Sequence, residues 1–196
     1  MAFGVAFSIK ADLGVTPISS VPYVYSFKLP LTMGELTILY NIFMIILQIV
    51  ILRKNFHLIQ LLQLPAAIVF GYFIDFALYV VRDINPGSYI WQLLFCLLGC
   101  VVLALGVFLE VSAKLIYLPG EGLSRAVADR VKKEFGKVKV VLDSSMVILG
   151  IVSSFILFHQ LKGIREGTII SALLVGYIVK LLNSKMSMMD RRQKEV

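Results

Sequence analysis

Long runs without a charged residue constrain this chain more than any motif does. Leu36–Leu52 carries no charge, Asn55–Ile74 carries none, and Ile84–Leu109 is the longest such run. Ser144–Leu161 is a fourth, preceded by Val140-Val141-Leu142 and Asp143. Gly167–Val179 is a shorter fifth that continues past Lys180 into Leu181-Leu182. About 20 apolar residues, each rising about 1.5 Å, cross the roughly 30 Å of a bilayer's hydrocarbon. Inside lipid every backbone polar group must be bonded within the protein, so runs of this kind fold as helices. Met1–Ile9 supplies a sixth apolar stretch of about half that length. Composition agrees: 59% of residues are apolar and 16% charged, against roughly 45–50% and about 25% in soluble domains. A soluble globular enzyme, a disordered chain and a disulfide scaffold are thereby excluded.

The order of these runs contains a repeat. A shift of 102 residues pairs Gly4-Val5 with Gly106-Val107, Pro17 with Pro119, Gly34 with Gly136 and Met44 with Met146. It also sets Phe56-His57 on Phe158-His159, so the only two histidines are equivalent, and gives 13 identities over the 54 positions 4–57. A shift of 105 continues the match, placing Ala67 on Ala172 and Gly71-Tyr72 on Gly176-Tyr177. The expected organisation is a first three-helix unit over 1–83, a connecting turn over 84–90, a second unit over 91–184 and a basic tail over 185–196. The second unit's first helix is expected near Trp91. Its counterpart would begin about a dozen residues before Met1, so the first helix is expected to be clipped. An odd number of spans per unit inverts the second relative to the first. The fold class expected is therefore an all-α membrane protein, six transmembrane helices in two inverted three-helix repeats.

Basic residues orient this arrangement. With the N-terminus cytoplasmic, 14 of the 19 Lys and Arg fall inside and five (Lys10, Lys28, Arg82, Lys162 and Arg165) fall outside. That bias follows the positive-inside rule and places both termini in the cytoplasm. The net charge of +7 then reflects topology and anionic lipid headgroups rather than nucleic acid. Neither a basic leader nor a small-residue cleavage site is seen at the N-terminus. Cys96 and Cys100, one helical turn apart, fit packing and match no metal or disulfide pattern.

A Pro-marked connector follows the first helix of each unit. Pro119-Gly120-Glu121-Gly122 opens an amphipathic stretch, Leu123–Phe135, with Leu123, Ala126, Val127, Val131 and Phe135 at helical spacing and charged residues between them. It either lies on the cytoplasmic face or dips into the protein as a re-entrant segment. Pro17–Pro30 is its more apolar counterpart.

Two strings carry a family resemblance. Asn41…Gln48…Leu62-Gln63…Phe70-Gly71…Asp75 in the first unit, and Pro119-Gly120-Glu121-Gly122…Asp143…Gly163-Ile164-Arg165-Glu166-Gly167-Thr168 in the second, resemble the YczE/YyaS group of bacterial membrane proteins, related to the YitT family. The resemblance spans essentially the whole chain. It implies a multi-pass protein of the bacterial inner membrane with no assigned activity, and a fuller first helix than the one present here.

Depth selects the residues that carry chemistry, because a charge at mid-helix costs about 2.5–3.5 kcal/mol on insertion scales. Asp143 lies about 10 Å into its helix counted from Gly136, followed by Ser144 and Ser145, and its repeat partner Asn41 is equally deep from the other side. Together they suggest a substrate or ion site near a pseudo-two-fold axis, as in repeat-built transporters; the alternative is a structural hydrogen-bonded pair. Asp143 is expected to lack a fixed counter-charge, with Lys137 and Lys139 held toward the cytoplasm. Asp75 is either a shallow ligand or a group reaching headgroup water. Gln48 and Gln63 are ligand candidates or interhelical glue. Glu121 is a gating candidate or a solvated loop carboxylate. Arg165, Glu166 and Thr168 open the last helix, with Glu166 suited to a helix N-terminus. His57 and His159 fall near opposite faces and cannot share a metal. No metal cluster, phosphate-binding loop or nucleophile–base pair is present, so neither cofactor nor enzymatic reaction is expected. The function expected is a small secondary transporter or channel-like protein for a small solute or ion. The alternative is a non-transporting scaffold for another membrane or biosynthetic protein. The expected partners are the lipid bilayer and that solute, and a homo-oligomer is compatible with the sequence.

Overall fold

The computed structural model describes residues 1–113 and 117–194, with side chains up to residue 182. Lys114 and the side chains of the tail's basic residues, which entered the charge count, lie outside this description. Among the described residues eight α-helices follow one another: α1 (Ala2–Ala11), α2 (Pro17–Ser26), α3 (Met33–Leu52), α4 (Gln63–Val80), α5 (Tyr89–Ala113), α6 (Pro119–Val131), α7 (Phe135–Phe158) and α8 (Glu166–Lys194). Two 3-10 turns, Arg53–Asn55 and Leu58–Leu62, join α3 to α4. No strand occurs among the described residues. Among the described residues four segments are long and apolar enough to cross a membrane: Met33–Asn55, Leu58–Val80, Tyr89–Ala113 and Phe135–Phe158. Helix α1, with ten residues, reaches about 15 Å.

Large apolar side chains stand on the outer surface of these helices, among them Phe43 and Ile46 on α3, Tyr72 and Phe76 on α4, and Ile156 on α7. In water such a surface would drive aggregation; against lipid it is the expected exterior. The interior combines apolar side chains with small and polar residues that let helices approach closely. Helix α1 lies along α5, where a Cβ added at Gly4 would sit 2.7 Å from the Leu103 backbone nitrogen. Helices α3 and α4 meet at Gly34 and Gly71, where a Cβ on Gly71 would sit 2.7 Å from the Gly34 carbonyl oxygen. Ala2, Val5, Ala6, Ile74, Ala77, Leu103 and Val107 bury the seam shared by α1, α4 and α5.

Polar groups fix the helix ends. Thr32 caps α3 in a reciprocal box with Glu35. Asp75, from α4, reinforces that cap: its Oδ1 accepts the Gly34 N–H at 2.7 Å and its Oδ2 accepts the Thr32 hydroxyl at 2.6 Å. The start of α8 is tied to the α1–α2 link, where Gly167 N–H donates to the Leu13 carbonyl at 2.7 Å and Arg165 Nη1 donates to the Asp12 carbonyl at 2.8 Å. Gly14 makes that approach possible, with φ +100° and no side chain to strike Thr168 Oγ1.

The connectors enter the protein rather than lying wholly on its surface, although Arg125, Asp129, Arg130 and Val131 of α6 stay exposed. Pro17, Ser19, Ser20, Pro22 and Val24 of α2 are buried, and so is every residue of α6 from Pro119 to Ser124. Each packs against both α3 and α7. Of the two placements the sequence left open, the structure therefore favours burial within the protein. The amphipathic stretch also ends earlier than its spacing suggests, because Lys132 terminates α6 in the left-handed region and Phe135 already opens α7.

Candidate functional site

Helix α6 enters the protein by its N-terminus because of Pro119-Gly120-Glu121-Gly122. Proline suits the first helical position, where its missing N–H would have no partner. The glycines let other groups touch the backbone. A Cβ at Gly120 would lie 2.7 Å from Ile18 Cδ1 of α2, and one at Gly122 would lie 2.8 Å from Gln63 Oε1 and 2.9 Å from Gln48 Oε1. The two connector helices thus meet at their N-terminal ends, Ile18 against Gly120. Glu121, between the glycines, is 4% exposed, and a carboxylate is favoured in a helix's first turn.

Lys139 of α7 turns this buried carboxylate into a cluster. Its Nζ lies 3.3 Å from Glu121 Oε1 and 3.3 Å from Asp143 Oδ2. The side chains of Lys139, Glu121 and Asp143 are 23%, 5% and 20% exposed. Lys139 and Asp143 share a face of α7 by their four-residue spacing, and α6 brings Glu121 across. One cation between two carboxylates leaves a formal charge of −1. Glu110, near the end of α5, is a further part-buried carboxylate at the start of α6. One of its oxygens accepts the Leu118 N–H, and the other is buried without a partner among the described residues.

Beside the cluster, Gln48 and Gln63 form a closed amide pair between α3 and α4. Gln48 Nε2 donates to Gln63 Oε1 at 3.1 Å, and Gln63 Nε2 donates to Gln48 Oε1 at 3.2 Å. Gln48 Nε2 also donates to the Pro119 carbonyl at 3.0 Å, holding the entry of α6. The glue role weighed from sequence describes this geometry.

The remaining candidates separate. The expectation that Asp143 lacks a counter-charge is corrected: a lysine four residues earlier has a stem long enough to reach it. Ser144 is exposed, off the cluster, and Ser145 donates to its own helix at the Leu142 carbonyl. Glu121 is buried, so the solvated-loop alternative is overturned. Asp75 serves the α3 cap. Arg165 and Glu166 pair with each other at 3.2 Å at the exposed start of α8, while Thr168 is buried against the α1–α2 link; none of the three joins the cluster. Asn41 is 4% exposed on α3, and no hydrogen bond joins it to Asp143 among the described residues. His57 and His159 both stand exposed at helix junctions. Among the described residues no group of three or more metal-ligating side chains occurs.

Sequence reasoning set Lys139 apart from Asp143 and did not place Glu110, read as an interfacial group, beside the site. Lys139 had a signal, its four-residue spacing from Asp143; Glu110 had none, because its partner, the Leu118 N–H, sits at the start of another helix. The repeat adds one more relation. At a shift of 102, Glu121, Lys139 and Asp143 correspond to Ser19, Thr37 and Asn41, all three buried and uncharged.

Residues 1–184 match the model of a family of unknown function, DUF6198. No curated protein and no solved structure matches the chain.

Proposed function

From the premise that the chain belongs to the DUF6198 family, whose function is unknown, we propose that it is a small secondary transporter or channel-like protein with its solute site at Glu121, Lys139 and Asp143. One observation carries this reading: three ionisable side chains lie mostly buried in a body whose exterior is apolar. A structural role does not require them, since well-packed apolar residues would do as well or better in such a place, and charges at membrane depth mark ion and solute pathways. The excess of one negative charge suits a proton or a small cationic solute. Arrival of that cation at one carboxylate releases Lys139 toward the other, which gives the site two arrangements to alternate between.

Six spans in two inverted repeats form the architecture of this proposal, with both termini cytoplasmic and the bacterial inner membrane as the location. Support comes from packing that recurs in three pairs, α2 on α7 as α6 on α3, α2 on α3 as α6 on α7, and α1 on α4 as α5 on α8, while the α3–α4 packing has no α7–α8 counterpart of comparable extent among the described residues. Equivalent positions also meet equivalent positions. Gly122 approaches Gln48, and its counterpart Ser20 approaches Gly150, the counterpart of Gln48. The YczE/YyaS likeness belongs to the same proposal and rests on the motifs quoted for it.

Purified protein in liposomes enclosing a pH-sensitive dye tests the reading. Under an imposed membrane potential, proton entry should exceed that of empty liposomes, alone or with small amine and cation solutes, and Asp143→Asn should remove it. Asp75→Asn, at the α3 cap, should leave it intact. Folded wild type no faster than empty liposomes, or Asp143→Asn at full rate, overturns the proposal and leaves the scaffold reading.

A further inference from the structure

A second polar feature lies apart from the buried cluster. A cleft of about 690 Å³ opens where α3 ends, between the two 3-10 turns and the outer face of α6. Arg125, Arg130 and Lys132 line it against a single acid, Asp129. Asp129 is already paired with Arg125 at 3.4 Å, while Arg130 and Lys132 have no ion-pair partner among the described residues. The opposite wall offers uncharged donors, the Asn55 and Gln60 amides and the His57 ring.

The rim is as informative as the charge. Leu58 is 80% exposed and Ile59, which also lines the cleft, 66% exposed. Both stand on the short turn joining two membrane-length helices. Bare aliphatic side chains beside unpaired cations at the end of two spans match the depth where acyl chains give way to headgroups. Guanidinium and ammonium groups with neutral donors opposite them are the chemistry that holds a phosphate.

We propose that this cleft binds a phosphate-bearing group, either the headgroup of an anionic phospholipid or a free phosphomonoester. The proposal is independent of the transport reading and uses none of its residues.

Two arms distinguish the sources. In the lipid arm, protein in nanodiscs of mixed phosphatidylglycerol and phosphatidylcholine is released and its retained lipids are counted by native mass spectrometry. In the soluble arm, glycerol 3-phosphate is titrated onto delipidated protein in neutral detergent and followed by calorimetry. A direct, solvent-screened hydrogen bond from a cleft cation to the phosphate is worth on the order of fivefold, so Arg130→Ala with Lys132→Ala should weaken phosphate binding on the order of 30-fold. The control pair Lys133→Ala with Lys137→Ala removes the same charge from positions outside the cleft and should cost less than about threefold. A loss confined to the cleft pair in the lipid arm assigns the site to a headgroup; the same loss in the soluble arm assigns it to a free phosphate ester. Equal losses for both pairs would mean diffuse attraction, and no binding in either arm would mean no site. Either result overturns the proposal.

Discussion

Replacing Lys139 with methionine perturbs the charge cluster most sharply. The change keeps the stem of the side chain and removes the one cation that sits 3.3 Å from both Glu121 and Asp143. Two carboxylates, 5% and 20% exposed, then face each other without compensation. Breaking a buried ion pair by removing one partner costs about 3–5 kcal/mol; the partial exposure of Asp143 places this case near the lower end, about 3 kcal/mol. At about 2–4 °C per kcal/mol for a chain of this size, the melting midpoint should fall by about 6–12 °C. Neutralising all three groups, Glu121→Gln with Lys139→Met and Asp143→Asn, removes the charges together and should return stability to within about 1 kcal/mol of wild type, about 2–4 °C in the midpoint. A thiol-reactive dye gives the readout, because Cys96 and Cys100 are free and buried and react only on unfolding. If Lys139→Met melts with wild type, or if the triple variant melts as low as the single one, the cluster is not the buried charge balance described.

Further predictions rest on separate contacts. Gly71→Val should lower stability by about 1–3 kcal/mol, because its Cβ meets the Gly34 backbone; Gly176→Ala, at the equivalent position with nothing within 4 Å, should be neutral or gain up to about 1 kcal/mol from helix propensity, both read by the same dye assay. Asp75→Ala should cost about 1–3 kcal/mol by leaving the Gly34 N–H without its acceptor, with no change in proton flux. Gln48→Leu and Gln63→Leu should be non-additive in a double-mutant cycle, with a coupling of about 0.5–3 kcal/mol; additive losses would show that the two amides do not depend on each other.

The parts of the fold that depend on composition along one segment were legible in the sequence. The long uncharged runs became α3, α4, α5 and α7, and Pro17 and Pro119 marked the starts of α2 and α6 because proline is favoured in the first turn of a helix. What was not legible depends on contacts between segments. The spacing of Leu123 and Ala126 made one face of α6 apolar, but the depth of its first turn is set by Gly120 against Ile18 and Gly122 against the glutamine amides. Depth along a helix was used to separate Asp143 from Lys139; a lysine stem spans a full turn, so the same spacing that appeared to part them brings them together. Asp75 was ambiguous for a related reason: its partners, Thr32 and Gly34, lie about 40 residues away and become neighbours only when α3 and α4 pack.

The most direct test of whether Glu121, Lys139 and Asp143 serve transport rather than structure is the proton flux of the neutral triple variant in liposomes, at wild-type incorporation and with an unchanged melting midpoint. Transport through this cluster predicts that the folded variant carries no more current than empty liposomes. Flux equal to wild type would contradict it.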